Sequence, residues 1–376
     1  MSISVAVAGL GFGEEFLALY RDHPQVHRLG IVEPSVDRLR EVGDRHGLGD
    51  RFRHIEEVLD DDRWDAVHIL APVAFHAAFS IAVLDAGKHC ACAVPMATEL
   101  DDLRAVVAAQ RRSGKNYMMM ETAVYGREYR FVERLYRAGG LGDLTFYRGY
   151  HIQNLDGFPD YWLGFPPMKY VTHALSPLLA LTDSVATDVV AHGAGRLSAE
   201  RIGDSGNPFP VEAGLFRLSN SDVLGNITMS FFQTARSYIE GFSCYGDLAS
   251  VEWSGVEGEP VYMFETLPAG ADSPLRGRRY ERKEIVPPDA MSGLPEALIR
   301  YVTDYEFVPQ DGSRPSTRRA HHSGSHPYLV DEFVASIVEG RTPRIDASTA
   351  AAWTAPGIVA HESSLQGGQR LPVPSF

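Results

Sequence analysis

Val5-Ala6-Val7-Ala8-Gly9-Leu10-Gly11-Phe12-Gly13-Glu14-Glu15-Phe16 decides the reading of the N-terminal third of the chain. Small apolar residues run into three closely spaced glycines, and from Glu14 to Arg21 apolar side chains recur three or four apart. This pattern is a buried strand that turns sharply into a helix. The backbone amides of such a turn, backed by the positive end of the helix dipole, face a pyrophosphate, and a glycine at 11 keeps a Cβ clear of the phosphates. Gly9, Gly11, Phe12 and Gly13 are therefore candidate dinucleotide-binding residues. The third glycine of the usual fingerprint would fall at 14, where Glu14 stands, and Gly13 comes one residue early. A carboxylate aimed at phosphate would be repelled, so Glu14 is expected to point to solvent.

Outward from this turn, short apolar runs alternate with helical stretches as far as Thr122. The runs are Ser4–Ala8, Leu29–Val32, Ala66–Leu70, His89–Cys92 and Tyr117–Met120; the helical stretches are Glu14–Arg21, Ser35–His46, Phe75–Ala86 and Glu99–Arg112. The rhythm predicts an α/β Rossmann domain over 1–122 with a doubly wound parallel sheet of five strands. Glu33 ends the second run 24 residues after Gly9, close to the place of the acid that hydrogen-bonds the adenosine ribose. An acid there repels a 2′-phosphate, which predicts NAD rather than NADP. The plainer reading of Glu33 is a cap, with Ser35, on the next helix. Ala71 and Pro72 end the third run at the carboxyl edge of the sheet, where ligands of such sheets bind.

After Tyr125 the pattern changes. A helix over Tyr129–Arg137 and a strand near Leu144–Tyr150 lead into a loop rich in Gly, Pro and aromatics, and Val211–Trp253 alternates as strands do. Residues 123–376 are expected to form an α+β substrate-binding and oligomerisation domain with an open, mostly antiparallel sheet. A sheet with one uncovered face predicts a homodimer or homotetramer. Pro274–Gly324 is expected to be a surface excursion, followed by a last helix with Ser325 as cap, Leu329, Phe333 and Ile337 on one stripe and Gly340 as stop.

Across 376 residues, 35 basic against 49 acidic side chains give a net charge of −14, which works against binding nucleic acid or an anionic membrane and favours a small-molecule partner. The three cysteines lack paired spacing and are read as reduced core thiols. No secretory signal and no membrane-length apolar run are read, so the expected location is cytoplasmic. The sequence holds no His-Glu-x-x-His, no Gly-x-Ser-x-Gly and no P-loop, and no metal is expected.

Gly-Leu-Gly-Phe-Gly at 9–13, Ala71-Pro72 with His76, Ala86-Gly87-Lys88-His89 and Pro95-Met96-Ala97 together resemble the glucose-fructose oxidoreductase, inositol dehydrogenase and MocA (Gfo/Idh/MocA) family. His326-Pro327, Glu332-Phe333-Val334, Gly340-Arg341 and Glu362-Ser363 are similar to its closing segment. The resemblance implies an NAD cofactor and a carbohydrate or polyol substrate, and it adds His76, Val94 and Pro95 to the cofactor-binding candidates; Glu121, which follows the fifth strand where a substrate would meet the nicotinamide, is another. Two departures bear on mechanism. The family's Glu-Lys-Pro, whose lysine touches nicotinamide and substrate, is Ala93-Val94-Pro95 here. Its Asp four residues ahead of a catalytic His is Lys169 ahead of His173.

Residues four apart share a helical face, so Lys169 and His173 are expected to point into one pocket as the catalytic pair, with Tyr125 a further acid or base. The plainer readings are a solvated charge for Lys169 and a buried packing histidine for His173. His151, Gln153, Tyr161, Trp162 and His326 are the substrate-binding candidates, aromatic rings being common sugar platforms. The leading reading is an NAD-dependent oxidoreductase acting on a secondary hydroxyl of a sugar, sugar derivative or cyclitol. The alternative is an NAD-requiring glycosidase that oxidises C3, eliminates the aglycone, adds water and re-reduces. A third is a cofactor-binding sensor without turnover.

Overall fold

The computed structural model describes residues 2–236, 238–256, 258–268, 278–288 and 293–376. Two compact units are formed. One comprises Met1–Tyr125 with Asp289–Ala355 and Phe376, the other Gly126–Pro288 with Pro356–Ser375. Residues 293–355 thus return to the N-terminal unit, whereas the sequence reading kept everything after 122 together.

In the first unit the strands are β1 (Ile3–Ala8), β2 (Val26–Val32), β3 (Asp50–Phe52), β4 (Ala66–Ile69), β5 (His89–Cys92) and β6 (Tyr117–Met119). They pair in parallel in the order β3-β2-β1-β4-β5-β6, a Rossmann-type sheet. The helices Glu14–Asp22, Val36–His46, His76–Asp85 and Leu100–Ser113 match the expected crossovers. β3 is the strand the reading lacked; Asp50-Arg51-Phe52 is a short, half-buried edge with no apolar run to reveal it. The chain order reverses between β1 and β4, and ligands of such sheets bind at the carboxyl ends of strands at this switch point. Gly9 and Leu70 stand at those ends.

The second unit is built on β7 (Leu144–Gln153), β8 (Ala186–Ala194), β9 (Val211–Leu218), β10 (Leu224–Ser230), β11 (Tyr238–Gly246), β12 (Ala249–Glu252), β13 (Val261–Thr266) and β14 (Tyr280–Ile285). A small hairpin, β15 (Tyr305–Phe307) with β16 (Ser316–Arg318), belongs to the first unit, and β17 (Leu371–Pro372) closes the second sheet. The nine-stranded order is β14-β13-β12-β11-β7-β10-β9-β8-β17, antiparallel throughout except for the parallel pair β7/β10. The supposed excursion therefore contains strand and hairpin; Pro274, Leu275, Arg276 and Gly277 lie outside the described residues. The helix His326–Val338 forms as expected, although the Ser325 side chain makes no cap bond. It is not the last: Ala347–Leu365 follows, and Pro356 with a run of Ala and Thr hid it.

The buried helix Thr172–Thr182 lies on the second sheet. Tyr147 of β7 donates its hydroxyl to the Ala174 carbonyl at 2.8 Å, and a Cβ at Gly149 would come within 2.1 Å of that same oxygen. Glu212 of β9, wholly buried, accepts the Met168 N–H at 2.9 Å, and its other oxygen meets His361 Nδ1 at 2.9 Å. The Met168 carbonyl in turn lies where only a glycine, Gly357, leaves room. All three cysteines are free and buried, and burial pushes the Cys244 thiol up to about 12. Among the described residues no helix is long and apolar enough to cross a membrane.

Removing one partner of a buried carboxylate pair leaves an uncompensated charge in the core. His361→Ala is expected to cost about 3–5 kcal/mol, read as a lower denaturation midpoint in urea.

Candidate active site

In the first unit, the three loop glycines divide by what each one answers to. Gly9 has φ +94°, and a Cβ there would lie 2.6 Å from the Leu70 carbonyl oxygen. At Gly13 a Cβ would lie 2.1 Å from the Gly9 carbonyl, so the close packing of helix on strand falls one residue earlier than in the usual fingerprint. At Gly11 a Cβ would meet nothing within 4 Å. The protein itself makes no demand for glycine there, and open space over a helix N-terminus fits a pyrophosphate. Phe12 is exposed beside it. Glu33 accepts the Leu10 N–H at 3.0 Å and the Ser35 N–H at 3.1 Å, so the ribose candidate also braces the loop.

Glu14 does not point to solvent. Its carboxylate is bonded by Arg45 at 2.8 and 3.0 Å, by Arg318 at 2.9 Å and by His46 at 3.2 Å. Burial alone would raise its pKa, but the hydrogen bonds from His46, Arg45 and Arg318 outweigh that and hold it at about 2. Two arginines neutralise the charge that the sequence reading sent into water.

His76 joins the loops after β4 and β5. Nε2 lies 2.9 Å from the Ala71 carbonyl and Nδ1 2.7 Å from the Pro95 carbonyl. Both oxygens only accept, so both ring nitrogens donate and the ring is an imidazolium. Burial would lower its pKa; Cys92 beside it and the two carbonyls reverse this, up to about 9. His76 thus joins the loops of Ala71-Pro72 and Pro95 at the carboxyl edge of the sheet, where Val94 is buried. Glu121 is buried after β6 and accepts the Ala123 N–H at 2.9 Å. Tyr125 is buried, with the Arg344 guanidinium 5.9 Å from its ring. His326 belongs to this unit as well: its ring lies 4.5 Å from Phe16 and 5.6 Å from Phe12.

In the second unit, Lys169 sits on a 3-10 turn, Pro167–Tyr170, and the α-helix begins only at Thr172. The shared α-helical face assumed for Lys169 and His173 is replaced by a turn followed by a helix. Lys169 is half-buried. His173 is buried, and its Nδ1 lies 3.4 Å from Glu240 Oε2. Glu240 was absent from the sequence reading; it stands directly opposite His151 in the antiparallel register of β7 and β11. The His151 ring, also buried, is 5.3 Å from that of His173, and Gln153 Oε1 is 3.3 Å from His151 Nε2. Tyr170, also missed, stacks edge-on between His173 at 5.2 Å and Trp162 at 5.6 Å, and Tyr161 follows at 5.6 Å from Trp162, half exposed. An aromatic wall runs from the surface to two buried imidazoles and a carboxylate.

Residues 3–121 match the family model described as oxidoreductase family, NAD-binding Rossmann fold (GFO_IDH_MocA). Over these residues the chain is similar to the NAD-binding domain of the Gfo/Idh/MocA family. A glycosyl hydrolase family 109 protein from Streptomyces niveus is 24% identical over 332 residues, which are 83% of this chain and 63% of that protein. The chain therefore spans just under two thirds of that relative's length. A levoglucosan dehydrogenase solved with NADH and levoglucosan superposes with a TM-score of 0.77 at 17% identity, covering 100% of both chains. Myo-inositol 2-dehydrogenase from Lactobacillus plantarum gives 0.72 at 14% identity, again over 100% of each. The two structures establish the likeness of fold. The cofactor of this family's Rossmann domain is NAD, and the loop at 9–13 fits it.

Gly11→Ala is expected to leave thermal stability within about 0.5 kcal/mol while weakening NADH binding, measured by fluorescence titration, because its new methyl occupies only ligand space. Glu14's lowered pKa contributes stability that is present above its ordinary value of 4.5 and lost as pH falls toward about 2. Glu14→Gln should therefore flatten the fall of melting temperature across that window.

Proposed function

We propose that the protein is an NAD-dependent oxidoreductase acting on a secondary hydroxyl of a sugar, sugar derivative or cyclitol. In this reading the first unit holds the cofactor through Gly9–Gly13, Glu33 and the loops that His76 joins, and the second unit holds the carbohydrate. The observation that carries the reading is the buried His173–Glu240 pair at the end of an aromatic wall, in a chain with an NAD-binding Rossmann domain. Bound NAD supplies the hydride acceptor. What remains for the chain is the hydroxyl proton. Glu240 beside Nδ1 favours the proton on that nitrogen and stabilises the imidazolium, leaving Nε2 of His173 as the acceptor. Lys169 replaces the cation absent at Val94 and lowers the pKa of the substrate hydroxyl. Trp162, Tyr161 and Tyr170 offer ring faces to the sugar, with His151 and Gln153 as hydrogen-bonding partners.

A second reading, the redox-neutral glycosidase, is favoured by the name of the Streptomyces niveus relative. Oxidation at C3 acidifies the C2 proton, elimination expels the aglycone, water adds, and the ketone is reduced again. That route needs one more acid or base, for which Tyr125, His151 and His326 are the candidates. For the assembly we favour a homodimer or homotetramer through the second sheet, since β9 buries one face and exposes the other, Leu215 included. A cytoplasmic location fits the same reading.

Incubation with NAD⁺ and a panel of free sugars and aryl glycosides, following NADH and released phenol together, separates the readings. NADH accumulating with sugar supports the dehydrogenase; phenol release with catalytic NAD⁺ and no lasting NADH supports the glycosidase. His173→Ala should lower kcat by about 10²–10⁴-fold. Lys169→Ala should abolish cofactor reduction while NADH still binds, and retained turnover would remove Lys169 from the mechanism.

A further inference from the structure

His151, His173 and Glu240 each present one donor atom, and these atoms all lie within 4.8 Å of one another. Three independent elements bring them together. β7 supplies His151, β11 supplies Glu240 as its cross-strand partner, and the helix Thr172–Thr182 lays His173 over both. Two imidazoles and one carboxylate on one side of a centre are the ligand set of a divalent transition metal with its remaining positions open. Metal–ligand bonds of about 2.0–2.2 Å place donors roughly 3–4 Å apart, so the observed spacing needs only a small contraction. We propose that these three residues bind one divalent ion of the zinc class.

Two further features suit such an ion. Gln153 Oε1 accepts from His151 Nε2–H, which fixes the tautomer in which the buried Nδ1 is the nitrogen able to ligate. Tyr170, Phe231 and Tyr238 ring His151 at 5.8, 5.3 and 5.2 Å, an apolar shell that strengthens charge interactions within it. The ion occupies the place of the proton that His173 and Glu240 would otherwise share. Binding therefore moves that proton to Nε2 of His173 and weakens in acid as the imidazoles protonate. It also removes His173 from service as a base, so the metal inhibits. The inhibition rests on the oxidoreductase reading; the binding does not.

The test is calorimetric titration of chelator-treated, full-length protein with ZnCl2 and with CoCl2, in the absence of NAD and sugar. One ion per chain is expected, with a visible Co²⁺ absorption band. Gln153→Ala should weaken binding by roughly 10–100-fold, as loss of a partner to a ligand does. Glu240→Gln and His151→Gln should each abolish it, with circular dichroism checking that at least one of them keeps the fold. Substoichiometric binding, or binding unchanged in a folded Glu240→Gln or His151→Gln, overturns the proposal whatever the activity assay shows. If the ion binds as proposed but the protein turns over no sugar, the site stands and the catalytic reading falls.

Discussion

The carboxylate of Glu212 is the interaction on which the second unit's chemistry depends. It is an acid with no exposure to water, held by the Met168 N–H on one oxygen and His361 on the other. A buried charge tolerates little displacement, because each lost hydrogen bond exposes it to a low dielectric. The turn that carries Lys169 is thereby pinned at its second residue. From the other side, the Met168 carbonyl sits against Gly357 and the Ala174 carbonyl against Gly149, positions where a methyl group would not fit. Proton transfer needs partners placed to within a few tenths of an ångström, and backbone groups clamped at both faces supply such placement for the proposed catalytic side chains.

The dinucleotide turn shows the complementary logic. Gly9 and Gly13 are required by the protein's own backbone, whereas the space at Gly11 is left for something the chain does not contain. The motif that sequence comparison treats as one signature thus combines two constraints of different origin. The same separation explains Glu14. Its place in the fingerprint invites a phosphate-facing reading, yet its carboxylate is committed to Arg45, His46 and Arg318, which neutralise an acid so near the candidate phosphate site.

Much of this was legible in sequence because it is local. Short apolar runs and period-3.6 patterns marked five of the six strands of the first sheet and all four of its main crossover helices, and Gly-x-Gly with Glu33 pointed to the cofactor. What escaped was non-local or locally ambiguous. Glu240 joins His151 only through the β7/β11 register, which no neighbouring residue announces. The helix Ala347–Leu365 has apolar residues on all sides and an internal proline, so no stripe stands out. β3 is three residues of mostly charged edge. Lys169 and His173 were given an α-helical spacing because a four-residue offset implies one; a turn held by the buried Glu212 carboxylate, 43 residues further along, is not visible in that offset.

The departures from the family pattern become coherent once Glu240 is included. The resemblance implies a lysine, an aspartate and a histidine at the reacting centre. Here the lysine's place holds buried Val94 and the aspartate's place holds Lys169, so taken singly each change removes a needed charge. Taken together with Glu240 at 3.4 Å from His173, the set is again one cation, one carboxylate and one imidazole. The carboxylate has moved from the turn before the helix to the opposing strand, and the cation has moved into the place the carboxylate left. A histidine paired through Nδ1 to a strand carboxylate has its ring plane set by the sheet. Under the proposed oxidoreductase reading, such an exchange retains general-base chemistry, with Glu240 in the orienting role and Lys169 as the cation.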